Sequence, residues 1–393
     1  MTSTASSIVR EDLKCPSADG SYQIKGLLWQ RFDVASGAAC PRGVFQIVHG
    51  MAEHMARYDE FARYLARQGF VVCGEDHVGH GRTAATPDDL GHIPLAYGKE
   101  ALIANVHELR QQMTRRVGES IPYVLFGHSM GSFIVRAYLA RHGDGLAAAV
   151  LCGTGNPPRA LSKAGNLLAR LVARFAGEHR RSALIDGMGA GAYGKRIEGA
   201  RTPFDWLSVD PDVVDAFIAD PLCGAMFTVG GYAALTDLTG EVASPACAQR
   251  VPNDLPLLFV AGTKDPVGDE GQGVRAAVEL MRQSGVERVD EILYEGMRHE
   301  VLNEPERARV FADVAEWTEA RLAERFPDSE AQRPWAEACA AERREGGEGE
   351  EGEASLGGCG VVPADRSVPA GHDASVGFDV AGGQGEQRKE AFL

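Results

Sequence analysis

At 393 residues, with 44% hydrophobic and 24% charged side chains, the chain can bury one large core and carry an insertion. A net charge of −15 argues against a nucleic-acid partner, since neutralising phosphates needs clustered Lys and Arg. No run approaches the roughly 20 apolar residues that span a bilayer, and the opening MTSTASSIVR lacks the basic segment and apolar run of a signal peptide, so a cytoplasmic protein is expected.

The pattern from Ile8 to about Gln30 predicts a β-hairpin, with YQIKGLLWQ as its clearer strand. Val44–Val48 is short, apolar and β-branched, which predicts a buried strand. Tyr58, Phe61, Ala62 and Leu65 then recur at helical spacing, and Gly69 ends that helix. Phe70–Cys73 predicts a strand, Leu102, Val106, Leu109 and Met113 a helix, and Tyr123–Phe126 another buried strand. Phe133, Ile134, Ala137 and Tyr138 mark a helix, and Ala147–Cys152 a strand. Continuous apolar strands alternating with helices predict an α/β class, a mostly parallel sheet with helices on both faces.

Near Gly155 the alternation breaks. Residues 156–240 are helical or Gly-rich without a convincing strand, which predicts an inserted helical cap between a first core part, 1–155, and a second, 241–328. Strands at Leu257–Ala261 and Glu291–Tyr294, a helix around Val274–Met281, and a last helix containing Val310, Val314 and Trp317 complete the second part. From 329 to 393 the sequence passes through EGGEGEEGEASLGG, too poor in apolar residues to offset the entropy of folding, so a disordered acidic, Gly-rich tail is expected. The eight cysteines include no CxxC pair and no metal spacing; Cys73 and Cys152 lie in apolar runs and are expected to be buried thiols in a reducing compartment.

Gly127-His128-Ser129-Met130-Gly131 fits G-x-S-x-G, and its context matters more than the pattern. The apolar strand PYVLF runs directly into it and a helix starts at once behind it. That arrangement exposes a serine hydroxyl at the sheet edge and aims a helix N-terminus at it. Serine is a poor nucleophile until a neighbouring base takes its proton. Behind such an elbow the acid and then the histidine follow along the chain. LPLLFVAGTKD is a strand ending at Asp265, and EILYEG is a strand followed closely by His299. Asp269 is the rival acid, and Asp254 lies ahead of its strand. An oxyanion needs preorganised N–H donors. The backbone of Met130 is expected to supply one and Met51, in the loop after Val44–Val48, the other, with His49 and Gly50 shaping that loop.

HGMAEH (49–54), DHVGHG (76–81), GHSMGS (127–132), GTKDPVG (262–268), YEGMRHEVLNE (294–304) and PFDWLSVDPDVVDAFIADPLCG (203–224) together resemble the monoacylglycerol lipase and lysophospholipase branch of α/β-hydrolases, close to the serine aminopeptidase-like enzymes. The likeness covers roughly residues 10–325. It implies an α/β-hydrolase fold, a Ser129–Asp265–His299 triad, an oxyanion hole at Met51 and Met130, and hydrolysis of small acyl esters through an acyl-enzyme without a cofactor. Val78 departs from it, since many relatives carry Arg there, and the stretch from Gly155 to Pro203 does not match position by position.

His49, Glu53, His54, His77 and His80 cluster in sequence, but H-x-x-x-E-H misses the inverzincin spacing by one residue, so structural hydrogen bonds are expected and no metal. An aminopeptidase needs carboxylates in the cap, where Asp205, Asp210, Asp212 and Asp215 are available; a non-catalytic binding module would usually lack a triad member. In 161–181, Ala164, Leu167, Leu168, Leu171, Val172 and Phe175 form one apolar stripe opposite Lys163, Arg170 and Arg174, with Arg180 and Arg181 following. The stripe is expected to roof an acyl pocket, and the alternative is a lid that docks on a lipid surface.

Overall fold

The computed structural model describes residues 7–325 apart from positions 19, 21, 38 and 39; the tail expected at 329–393 lies outside the described residues. Ile8–Pro16 (β1) and Gln23–Arg31 (β2) form the predicted hairpin, with Ile8 opposite Arg31. A single helical turn, Phe32–Ala35 (α1), leads to Val44–Val48 (β3), all of whose residues are buried. Asp59–Arg67 (α2) turns Phe61, Ala62, Leu65 and Ala66 inward. Gly69, at φ 97°, makes the turn into Val71–Glu75 (β4). Gly98–Val117 (α3), Tyr123–His128 (β5), Met130–His142 (α4) and Ala148–Cys152 (β6) continue the alternation.

Helices then fill the span to the next strand: Arg159–Ala176 (α5), Ala183–Met188 (α6), Pro211–Ala219 (α7), Val229–Val242 (α8) and Pro245–Ala248 (α9). Leu257–Gly262 (β7), Gln272–Gln283 (α10), Val289–Tyr294 (β8) and Arg307–Arg325 (α11) close the described chain.

The strands form one sheet in the order β1-β2-β4-β3-β5-β6-β7-β8. From β4 to β8 neighbours run parallel, and β2 joins β4 antiparallel. Alternate side chains of β3 divide between two cores: Val44 and Val48 pack with α3, α4 and α10, whereas Phe45 and Ile47 pack with α2 and α11. Burial on both faces explains why these strands read as unbroken apolar runs. Cys73 and Cys152 are buried free thiols. Among the described residues no helix is long and apolar enough to cross a membrane.

One expectation fails in detail. Of the stripe on α5, Leu168 and Val172 turn toward the core, but Leu167 is 70% and Phe175 82% exposed, and Leu171 is exposed too. The helix seats itself instead through small or polar residues: Ser162, Ala169 and Ala173 are buried, and Asn166 Nδ2 donates to Ala233 O of α8 at 2.7 Å. Small side chains let α5 and α8 approach closely, and the contact is narrower than the apolar stripe, so its outer edge faces solvent.

Candidate active site

β5 delivers the chain to Ser129, which takes φ 52° and ψ −120°. A residue with a Cβ is held at positive φ only where its surroundings over-determine it. Here they do. A Cβ on Gly131 would lie 1.9 Å from Val48 O, and one on Gly127 2.5 Å from Gly131 O, so only glycine fits either side of the serine. Ser129 N–H donates to Cys152 O at 2.9 Å, and Ser132 Oγ donates back to Ser129 O at 2.6 Å. The serine thus stands at the N-terminus of α4, where the helix dipole favours developing negative charge.

Asp265 follows the end of β7 and His299 the end of β8, and both are buried. The structure brings them together: His299 Nδ1 donates to Asp265 Oδ2 at 3.0 Å, which leaves Nε2 with the lone pair. Val267 N–H donates to the other carboxylate oxygen at 2.8 Å. The rivals are engaged elsewhere, Asp269 with Arg196 at 3.0 Å and Asp254 with Arg325 at 2.7 Å. Burial presses the His299 pKa down, but the charge and hydrogen bond of Asp265, aided by Glu300 and Glu53, hold it above the ordinary histidine value. The neighbouring His128, its ring 4.7 Å from that of His299, is pushed down to about 4 by burial and by His299, so it stays neutral.

The loop after β3 is built by its own side chains. His49 is fully buried; its Nδ1–H donates to Gly50 O at 2.8 Å while Nε2 accepts from the His77 N–H at 3.1 Å. Gly50 N–H donates to Glu53 Oε1 at 2.6 Å, which also accepts from Tyr58 OH at 2.8 Å. Arg57 then bridges two loops, donating to Glu53 at 2.8 Å and, with both arms at 2.6 Å, to Glu300 beside His299. Although burial pushes the Glu300 carboxyl up, Arg57 more than reverses this and sets it at about 2. His54 pairs with Asp220 at 2.8 Å and Gly224 N–H donates to Ala52 O at 2.9 Å, tying this loop to the segment after α7. The structural bonds expected of Glu53 and His54 are therefore present. Arg57 and Glu300 were not singled out from sequence, and their partners lie too far along the chain to signal the link.

Met51, Ser129, Met130 and His299 line one cavity of about 530 Å³. Leu161 and Leu168 of α5 and Leu235 of α8 supply apolar wall, and Trp206 sets its ring 4.9 Å from that of His299, tilted by 43°. The four cap aspartates do not line it. Asp205 accepts from Thr202 Oγ1 at 2.5 Å, Asp210 caps α7 through Asp212 N–H at 2.9 Å, and Asp215 pairs with Arg201 at 2.7 Å. The carboxylates that do line it are Glu53, Glu300 and Asp186, the last accepting from Tyr232 OH at 2.5 Å. Among the described residues, the side-chain sets close enough to share a metal are His54–Asp220–Cys223 and His92–Glu178–His179, neither of which includes Ser129 or His299.

This strand order, with a strained serine at the β5–α4 turn and an acid–histidine pair after β7 and β8, is that of an α/β-hydrolase. Residues 39–306 match the family described as serine aminopeptidase, S33; the chain belongs to it, in the branch that includes the monoacylglycerol lipases. It is 32% identical to the monoacylglycerol lipase of Mycolicibacterium smegmatis over 74% of this chain and 93% of that one. It is 26% identical to the human monoglyceride lipase over 81% and 94%. A thermostable carboxyl esterase from Bacillus coagulans, solved with glycerol, superposes with a TM-score of 0.72 at 31% identity, covering 80% of this chain and 99% of that one.

Proposed function

We propose that the chain is a serine hydrolase that cleaves carboxylic esters of acyl lipids, of monoacylglycerol or lysophospholipid type. The observation that carries this reading is the apolar cavity meeting Ser129 beside the Asp265–His299 pair. Ser129 Oγ attacks the ester carbonyl as His299 Nε2 takes its proton, and Asp265 stabilises the imidazolium. The N–H groups of Met51 and Met130 hold the oxyanion. His299 then protonates the leaving alcohol, and water, activated by the same imidazole, releases the acid from Ser129. No cofactor enters any of these steps. The relatives named monoacylglycerol lipase and carboxyl esterase support the ester reading.

Two of the three carboxylates that line the cavity are already committed within the protein, and the third, Asp186, holds Tyr232 OH on one oxygen. Glu53 and Glu300 already receive Arg57, Tyr58 and Asn303, so neither is open to a substrate ammonium. We further propose that the helices between β6 and β7 form the cap expected at 156–240, and that the exposed edge of α5 meets a lipid surface.

A panel of 4-nitrophenyl esters, monoacylglycerols, lysophospholipids and aminoacyl amides tests the substrate class. Esters should turn over and label competitively with a fluorophosphonate, and Ser129→Ala should abolish both while the fold persists. Preference for aminoacyl amides, or near wild-type turnover by Ser129→Ala, would reject the reading.

A further inference from the structure

Arg136 lies on α4, two helical turns past Ser129, and is fully buried, yet no step of the proposed chemistry uses it. Among the described residues no carboxylate pairs with it, and burial lowers its pKa to about 10. Its guanidinium is directed at three neutral acceptors instead. Nη1 donates to Gly155 O at 2.8 Å, and Nη2 to Asn156 Oδ1 at 3.0 Å and Val242 O at 2.9 Å. A buried cation without a counter-ion persists only where fixed dipoles replace its water.

Those dipoles sit at two particular places. Val242 is the last residue of α8, whose end carries the negative pole of the helix and whose last turn has no basic residue of its own. Gly155 and Asn156 lie between the end of β6 and the start of α5, where the chain leaves the sheet. Space there is tight, since a Cβ on Gly155 would lie 2.5 Å from Val267 O in the loop after Asp265. One side chain rooted in the elbow helix thus fastens both junctions of the helical segment. Between those junctions, α5 and α8 are joined by Asn166 to Ala233 and by Thr239 to Ser162, and both contribute cavity wall.

We propose that Arg136 is a positioning residue that fixes the two cap junctions and thereby the width of the acyl cavity. The inference rests on reading that cavity as the acyl site. It separates the roles of α4: its first residues serve the oxyanion, and its second turn holds the walls that select the chain.

Two variants test it. Arg136→Lys keeps the charge, but one ammonium cannot span three acceptors as a guanidinium fork does. Asn156→Ala removes a single half-buried acceptor and leaves the buried cation in place, so it carries the test if the lysine variant fails to fold. Hydrolysis of 4-nitrophenyl acetate should change by less than about threefold, because it needs only the elbow, the histidine and the oxyanion donors. For 4-nitrophenyl laurate KM should rise about tenfold in Arg136→Lys and by a smaller factor in Asn156→Ala. Amide hydrogen exchange should quicken across 157–176 and 229–242 while β5 and β6 keep their protection. A folded variant with an unchanged laurate-to-acetate ratio and unchanged exchange overturns the proposal, as does equal loss on both esters. If the wild type hydrolyses neither ester and takes up no fluorophosphonate, the ester reading falls, and the exchange comparison alone still decides whether Arg136 fastens the junctions.

Discussion

Ser129 keeps its hydroxyl at a turn that costs conformational energy, and His299 keeps one nitrogen tied to Asp265 so that the other can accept a proton. Asp265→Asn offers the wrong tautomer to Nδ1 and should lower kcat by about three to four powers of ten, whereas Asp269→Asn, which only loses an exposed contact to Arg196, should leave it unchanged. Steady-state kinetics of the two variants decides the acid, and the reverse outcome would reassign it. If His299 is the base, as proposed, the carboxylates around it also set the working pH. Because Asp265, Glu300 and Glu53 favour the imidazolium, its pKa lies above the ordinary 6.5, and the base is neutral only above that value. The acidic limb of kcat/KM should therefore fall above pH 6.5, and Glu53→Gln should move it down. A limb below 6.5, or one unmoved by Glu53→Gln, would contradict this electrostatic picture.

Between elements, the decisive contacts join loops that are far apart in sequence. Arg57 follows the β3 loop and Glu300 the end of β8, 243 positions later; both carboxylates are buried and the side chain of the cation between them is only 12% exposed. Arg57→Met would leave Glu53 and Glu300 facing one another without a counter-charge, a loss expected to cost about 3–5 kcal/mol. Thermal unfolding reads that loss, and restoring much of it with Glu53→Gln and Glu300→Gln in the same chain would identify charge rather than packing as its origin. The strands and helices themselves were legible because a two-sided sheet demands unbroken apolar runs and its helices an apolar face; the elbow and the acid and histidine turns were legible only because a G-x-S-x-G run, Asp265 and His299 stand where those strands end. The Arg57 bridge was not, since nothing local marks an ion pair that closes over most of the chain. The α5 stripe covers the cavity only in part, through Ala164 and Leu168, for a related reason: periodicity shows that a helix has an apolar side but not how much of it a neighbour covers. That uncovered edge makes its own forecast. Leu167→Glu with Phe175→Glu should reduce flotation with phospholipid vesicles severalfold while soluble short-chain esters are hydrolysed as before. Equal vesicle binding by wild type and variant would assign the edge another purpose.

At the scale of the whole molecule, stability responds to pH through groups buried with and without partners. Glu300, held at about 2, contributes stability that is present above the ordinary value of 4.5 and lost as pH falls toward 2. Glu75 works in the opposite sense. It ends β4 with its side chain buried, neither carboxylate oxygen has a hydrogen-bond partner among the described residues, and His77 Nδ1 stands 3.6 Å away. Burial raises its pKa above 4.5, and the nearby His77 reverses this only in part. Between 4.5 and that raised value the folded chain holds a proton that the unfolded chain has released. Stability must then decline as pH rises, by about 1.4 kcal/mol for each pH unit across that window. Glu75→Gln keeps the shape and removes the titration. Its unfolding free energy, measured in urea at a series of pH values, should gain on the wild type from pH 4.5 upward and level off once the carboxyl has ionised. A difference that stays constant with pH would mean that Glu75 is held in the folded chain no differently from a glutamate in water.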